Sequence, residues 1–314
     1  MAVNVPAAPE ARLRQAGRIR QHQWGSVLWS AARTPRGMIG LGLAAFVVLV
    51  AVIGPFVAPY APDALVTLAF GKPSGQFLLG GDFLGRDVLS RVLDGGWVLL
   101  IMAACATVLG ITGGATAGVS AAYLRGVSDG IIMRAADVIL SFPQIVFALL
   151  LLSLLGPRLW LITITVGVSH APQVARVLRS ATLDLSERDF VKAAELQGMR
   201  PAKVMWKEIL PNLVSPLMVE AGLRLTYSIV IIAGLAFLGF GPPPPAASWG
   251  TMINENRDGL SLSPWAVIVP ALLIALLTIG TNLFTDAFAR VAIGVDRRPV
   301  EAALIENLSQ DPGE

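Results

Sequence analysis

The residues of this 314-residue chain that could do chemistry are few, and several sit where charge is expensive. Arg134 and Asp137 lie three apart, and Glu220 and Arg224 four apart, inside long apolar runs. An ionisable group near mid-bilayer costs roughly 2.5–3.5 kcal/mol on insertion scales. Spacings of three and four bring side chains together on one helix face, so each couple is expected to form a self-neutralising structural pair. A role in transport is the alternative for both. Of the two histidines, His22 and His170, the second shares an apolar run with Pro172 and reads as a helix-packing donor rather than a proton relay. A lone Cys105 provides no disulfide framework and no thiol metal site. No G-x-x-x-x-G-K-[ST] phosphate loop is present; Gly71-Lys72-Pro73 lacks both the leading glycine and the hydroxyl residue. The chain is therefore expected to be non-catalytic, with no nucleotide or metal of its own.

Elements must position these groups, and composition says which kind. The chain is 54% hydrophobic and 14% charged, against about 25% charged in an average soluble domain. A membrane span needs about 20 mostly apolar residues. Six runs qualify: Met38–Ala58, Trp97–Val119, Ile131–Leu155, Leu159–Val177, Leu213–Phe240 and Trp265–Ala287. Thr163, Thr165, Ser169, His170 and Pro172 dilute the fourth, as in helices that turn polar groups toward other helices. Lys and Arg accumulate on the cytoplasmic side of membrane proteins. With the N-terminus inside, the inner segments hold 18 and the outer segments 5, which predicts both termini in the cytoplasm. Ahead of the first span, Glu10–Arg33 reads as an interfacial helix with Trp24, Val27, Leu28 and Trp29 toward lipid. The arginines there lead into no short apolar core with a cleavage site, so no cleavable signal peptide is expected. Ser309–Glu314 reads as a frayed end.

The most informative stretch joins spans four and five, residues 185–211. Ser186 with Asp189 three residues on resembles a capping box that starts a short helix. Phe190, Val191, Ala194 and Leu196 give that helix an apolar side, and Gly198 suits a left-handed C-cap. Pro201 fits the first turn of a second helix through Val204, Met205 and Ile209, after which Pro211 begins span five. A helix–Gly–helix hairpin with few loop residues is stiff, as a lever must be. The plain alternative is a solvated connection with incidental helicity.

Lys192-Ala193-Ala194, then Gly198, then Ile209-Leu210-Pro211 resembles the EAA motif of ABC importer permeases, with Lys192 where that family has its first glutamate. In that family the loop carries the helices that seat on the ATPase subunit. Gly80 to Arg91, including Asp82, Gly85, Arg86 and Asp87, is similar to a segment of the dipeptide and oligopeptide permease C subunits, with Gly81 and Phe77 as departures. Trp29–Pro62, Phe237–Gly241 with Pro242–Pro245, Ser248-Trp249-Gly250 and Asn282–Asp286 also fit that subfamily. Pro242–Pro245 reads as a stiff polyproline stretch. Arg86 and Asp87 read as anchors of the second span, through ion pairs or capping, ahead of direct substrate contact.

The resemblance implies an all-α integral membrane protein with six transmembrane helices and the type I ABC importer permease fold. The expected organisation is a basic segment over 1–36, a first-span module over 37–80, a transmembrane core over 81–298 with its coupling loop at about 178–212, and a tail over 299–314. It implies a multi-pass permease of the cytoplasmic (inner) membrane that forms half a pathway for di- or oligopeptides. Its implied partners are a homologous B-type permease subunit, two ATPase subunits that bind ATP and magnesium, an extracytoplasmic solute-binding protein and membrane lipid, with no nucleic acid. The same architecture importing nickel, glutathione or another small solute is the alternative cargo. A stand-alone secondary transporter or channel would carry a coupling acid and an inverted repeat, and neither is evident.

Overall fold

A computed structural model describes residues 23–243 and 245–293. The described residues are helical throughout apart from connecting coil, with only isolated bridges between Leu65 and Arg86 and between Gly81 and Asp87. The helices are α1 (Gln23–Arg33), α2 (Pro35–Val57), α3 (Val88–Asp94), α4 (Trp97–Leu124), α5 (Gly126–Leu140), α6 (Gln144–Leu155) and α7 (Leu159–Ser186). They continue as α8 (Asp189–Leu196), α9 (Pro201–Val204), α10 (Val214–Leu235), α11 (Trp249–Asn256) and α12 (Trp265–Ile293). Five segments are long and apolar enough to cross a membrane: Pro35–Val57, Val88–Leu124, Leu159–Ser186, Val214–Phe240 and Trp265–Ala292.

The sixth span departs from expectation. The run read as one helix over Ile131–Leu155 is two, α5 and α6, meeting at 83°. Pro143 stands at the break and supplies no amide to an α-helical ladder, so the chain turns there within a mostly apolar run. Span five begins at Val214 rather than Pro211, because Met205–Ile209 forms a π-helical turn and Leu210–Asn212 a 3-10 turn first.

Local chemistry explains the entry to α2. The Thr34 hydroxyl accepts from the Gly37 amide at 3.0 Å and Pro35 occupies the first turn, where its missing amide costs nothing. Val27 and Ala31 of α1 are buried against Phe288 and Val291 of α12, so Val27 does not face lipid as expected; Trp29 is exposed, with the Arg33 guanidinium over its ring. The Trp24 side chain, the part of the expected helix before Gln23, and the C-terminal tail lie outside the described residues, as does Pro244 of the expected polyproline stretch; Pro245 sits in a turn.

The bundle centre is the α4–α7 contact. Gly110, Gly114 and Gly118 form a small-residue stripe on α4. A Cβ at Gly118 would lie 2.4 Å from the Ala175 carbonyl oxygen, and one at Gly114 would lie 2.5 Å from the Val174 Cβ. The main core then gathers Leu99, Met102, Leu152, Ile162, Ile229, Leu235 and Trp249 from helices distant in sequence.

Candidate functional site

The 187–213 loop has a core of its own. Val191, Ala194, Val204, Ile209 and Leu213 are buried together with Val119 of α4, and Tyr123, Leu185 and Leu217 close the cluster. Gly198 takes φ +76°, and the Met199 amide donates to the Ala194 carbonyl at 3.1 Å, a left-handed C-cap as the sequence predicts. Pro201 opens α9. The expected capping box does not form: α7 runs on through Ser186, whose hydroxyl donates to its own helix at Leu183, and α8 starts without a side-chain cap. Leu196 was expected on the apolar side and is instead 90% exposed at the loop tip, because α8 ends there and the chain reverses.

Of the motif residues, Ala194 and Ile209 are buried, Leu210 is half-buried, and Lys192, Ala193, Gly198 and Pro211 are exposed. Lys192 Nζ lies 3.7 Å from Glu187 Oε2, while Arg125 at the end of α4 donates to Glu187 Oε1 at 2.5 Å. That hydrogen bond from Arg125, with its charge and that of Lys192, holds the Glu187 carboxyl below its ordinary range. The Tyr123 hydroxyl donates to Glu195 Oε1 at 2.7 Å, a second tie from α4 to the loop. Sequence reasoning did not single out Tyr123, Glu187 or Glu195; their only local signal is an aromatic and charges at a span end.

At the opposite end of α4, Asp82 is the hub of a buried ionic cluster. Its Oδ2 accepts from Arg86 Nε at 2.6 Å and Arg91 Nη1 at 2.5 Å, and its Oδ1 from the Leu84 and Arg86 amides. Glu255 of α11 pairs with both guanidiniums, at 3.0 Å to Arg86 and 2.8 Å to Arg91. Gly85 makes the turn with φ +85°; a Cβ there would lie 2.3 Å from the Thr67 carbonyl oxygen. Asp87 caps α3 through the Ser90 amide at 2.9 Å. The site binds the coil before α3 to α11, so Arg86 and Asp87 act as anchors here and Arg91 and Glu255 complete what sequence reading left out.

Within the spans, Arg224 Nε lies 3.2 Å from Glu220 Oε2, the expected couple, and Arg224 also reaches Gln173 of α7 and the ring of Tyr227. The Arg134–Asp137 couple is corrected: Asp137 pairs with Arg176 of α7 at 2.5 Å, and Arg134 makes no ion pair among the described residues. A packed neighbour helix supplies the nearer cation, and Asp129 likewise binds Arg179 through both carboxylate oxygens. His170 bridges Gln144 at the start of α6 to Ser228 of α10, at 3.1 and 3.0 Å, and so pins the broken span to its neighbours.

Comparison with known proteins agrees with this architecture. Residues 110–292 match the family described as binding-protein-dependent transport system inner membrane component, and residues 22–73 the N-terminal TM domain of oligopeptide transport permease C. A putative peptide transport system permease protein of Brucella suis is 36% identical over 254 residues, 81% of this chain and 86% of that protein. The di/tripeptide transport system permease protein DppC of Pseudomonas aeruginosa is 34% identical over 82% of this chain and 88% of its own length. The dipeptide transport system permease protein DppC of Haemophilus influenzae is 31% identical over 82% and 90% respectively. The extent of the family match and of these alignments places the chain in the binding-protein-dependent transport system inner-membrane component family, as an integral membrane permease subunit of an ABC importer.

Proposed function

We propose that this permease subunit carries di- or oligopeptides across the cytoplasmic membrane and is driven through its 186–211 loop by ATPase subunits. The observation that carries the coupling reading is the contrast within the loop. Its base shares a core with α4, while its tip, Leu196-Gln197-Gly198, is exposed. An exposed apolar residue at 90% on a stiff hairpin is a contact waiting for a partner, and a force on it passes through Glu195–Tyr123 into α4. ATP and magnesium belong to the ATPase partners. Closing of those subunits would swing the loop and tilt α4 and α7 as a unit, since their glycine contact leaves no room to slide apart.

The loop end is cytoplasmic, from the 18-to-5 distribution of Lys and Arg. Residues 37–80 form a first-span module and 81–298 the transport core. A homologous permease subunit supplies the other half of the pathway, with apolar side chains of spans three, five and six at the interface, and a solute-binding protein delivers cargo to the far side. The peptide cargo is supported by the names of the relatives above.

The test is Leu196→Asp. The full transporter purified with this variant should lose its ATPase subunits and its ATP-driven uptake, while the chain still inserts and assembles with its permease partner. Normal co-purification and uptake would overturn the coupling reading.

A further inference from the structure

Spans cross lipid cheaply only where their exposed faces are apolar, and one face of α10 is not. Glu220, Leu223, Tyr227 and Val230 recur at spacings of three and four and so form one stripe. Tyr227 is 51% and Val230 48% exposed, so no described helix covers that stripe. Glu220 stands in it with Arg224 at its edge, six and ten residues past Val214. At 1.5 Å per residue these are about 9 and 15 Å along a segment of about 40 Å, inside a hydrocarbon core of about 30 Å. Charges at that depth turn to a bundle interior or a water-filled cavity, not to acyl chains.

The neighbouring backbone points the same way. The turn between α5 and α6, Ser141-Phe142-Pro143, is exposed at all three residues. Irregular backbone at membrane depth is tolerated only inside protein or beside water. The break lies level with the middle of α7: Gln144 donates to Ser169 Oγ at 2.5 Å and lies 3.1 Å from His170 Nδ1. His170 in turn lies 3.0 Å from the hydroxyl of Ser228, one turn beyond Arg224 on α10. Gln173, one turn along α7 from His170, accepts from Arg224. The broken span, α7 and α10 thus share one polar layer across the middle of the bundle, with Tyr227 exposed beside it.

Within that layer one group is left unmatched. Arg224 Nε and Glu220 Oε2 are 3.2 Å apart, yet neither atom makes a hydrogen bond, and the Glu220 carboxylate accepts none among the described residues. Its side chain is only 9% exposed, and a buried carboxylate without hydrogen bonds is costly. Arg224 is held elsewhere, by Gln173 and by the Tyr227 ring, so it offers Glu220 charge without a hydrogen bond. What Glu220 lacks is a cationic N–H donor, and an ammonium group brings three. We propose that Glu220 is a specificity residue of the pathway, taking the terminal ammonium of a passing peptide, with Arg224 neutralising it between passages. A peptide with both ends free and uncharged side chains is neutral overall, so the layer stays neutral when it is occupied. The inference rests on the peptide reading above and adds the point of contact to it.

Uptake of isotope-labelled alanine peptides by the complete transporter with its binding protein first selects the peptide it carries best. The full transporter is then placed in nanodiscs without binding protein, so that this peptide meets the permease directly. Tyr227→p-benzoylphenylalanine sets a photoreactive ring on the stripe, and mass spectrometry reads what is attached there after irradiation. The free peptide should attach about ten-fold more than its N-acetyl form, the worth of one hydrogen bond to a charged group. Glu220→Gln should bring the two to parity. The ratio is read on assembled transporter, so a poorer yield of the variant does not blur it. Equal attachment of both forms in the presence of Glu220, or attachment of the partner permease in place of peptide, would overturn the proposal. Uptake without attachment at position 227 sinks this inference alone, whereas no uptake of any peptide sinks the cargo reading and this inference with it.

Discussion

Asp82 accepts four hydrogen bonds and is fully buried, so it cannot be neutralised without loss. Asp82→Asn leaves two buried guanidiniums facing Glu255 alone, and removing one partner of a buried ion pair costs about 3–5 kcal/mol. The purified transporter should therefore melt at a clearly lower temperature, whereas Lys192→Gln, in an exposed pair worth about 0–1 kcal/mol, should melt as the parent does. Equal effects from the two variants would contradict this account of the cluster. The same cluster shows how far residues are legible in sequence. Asp82 and Arg86 are four apart, and such neighbours can be read from spacing alone. Glu255 arrives from 169 residues beyond Arg86, and no local pattern announces it. Spacing also misleads: Arg134 sits three residues from Asp137, but Arg176 of the packed helix α7 takes the carboxylate.

At the scale of helices, run length and hydropathy located the five unbroken spans and the run that holds the bent pair, because a bilayer demands long apolar segments whatever they pack against. What they could not reveal is the 83° break between α5 and α6, since Phe142 and Pro143 keep the run apolar while Pro143 interrupts its amides. Nor does lettering say which helices touch most closely. The four-residue spacing of Gly110, Gly114 and Gly118 is visible in the sequence, but its partner, α7, is seen only in the fold. The glycines of α4 accordingly divide by what surrounds them. A Cβ at Gly118 would press on the Ala175 backbone at 2.4 Å, while one at Gly113 would meet the Ala171 Cβ at an ordinary 3.6 Å. Gly118→Ala should destabilise the transporter by about 1–3 kcal/mol, the usual cost of overpacking, and Gly113→Ala should leave it unchanged. Thermal unfolding in detergent reads both, and an unchanged Gly118→Ala would mean that α4 and α7 are not clamped as described.

For the whole molecule the decisive question is which way the bundle faces. The apolar spans fix how often the chain crosses, but they are indifferent to direction; only the basic residues break that symmetry. The loop that carries Lys192, Arg200, Lys203 and Lys207 lies at one end of α4, and the Asp82 cluster with the coil around Ser74 lies at the other. The lone Cys105 is exposed on α4, so the test is made in a Cys105→Ser background. In cells or right-side-out vesicles, Ser74→Cys should react with a membrane-impermeant maleimide added outside, whereas Lys192→Cys should react only after the membrane is opened. Both positions are exposed, so poor access would not mask the result. The reverse pattern would put the loop outside, where no ATPase can reach Leu196, and would remove the coupling reading while leaving the fold and the family intact.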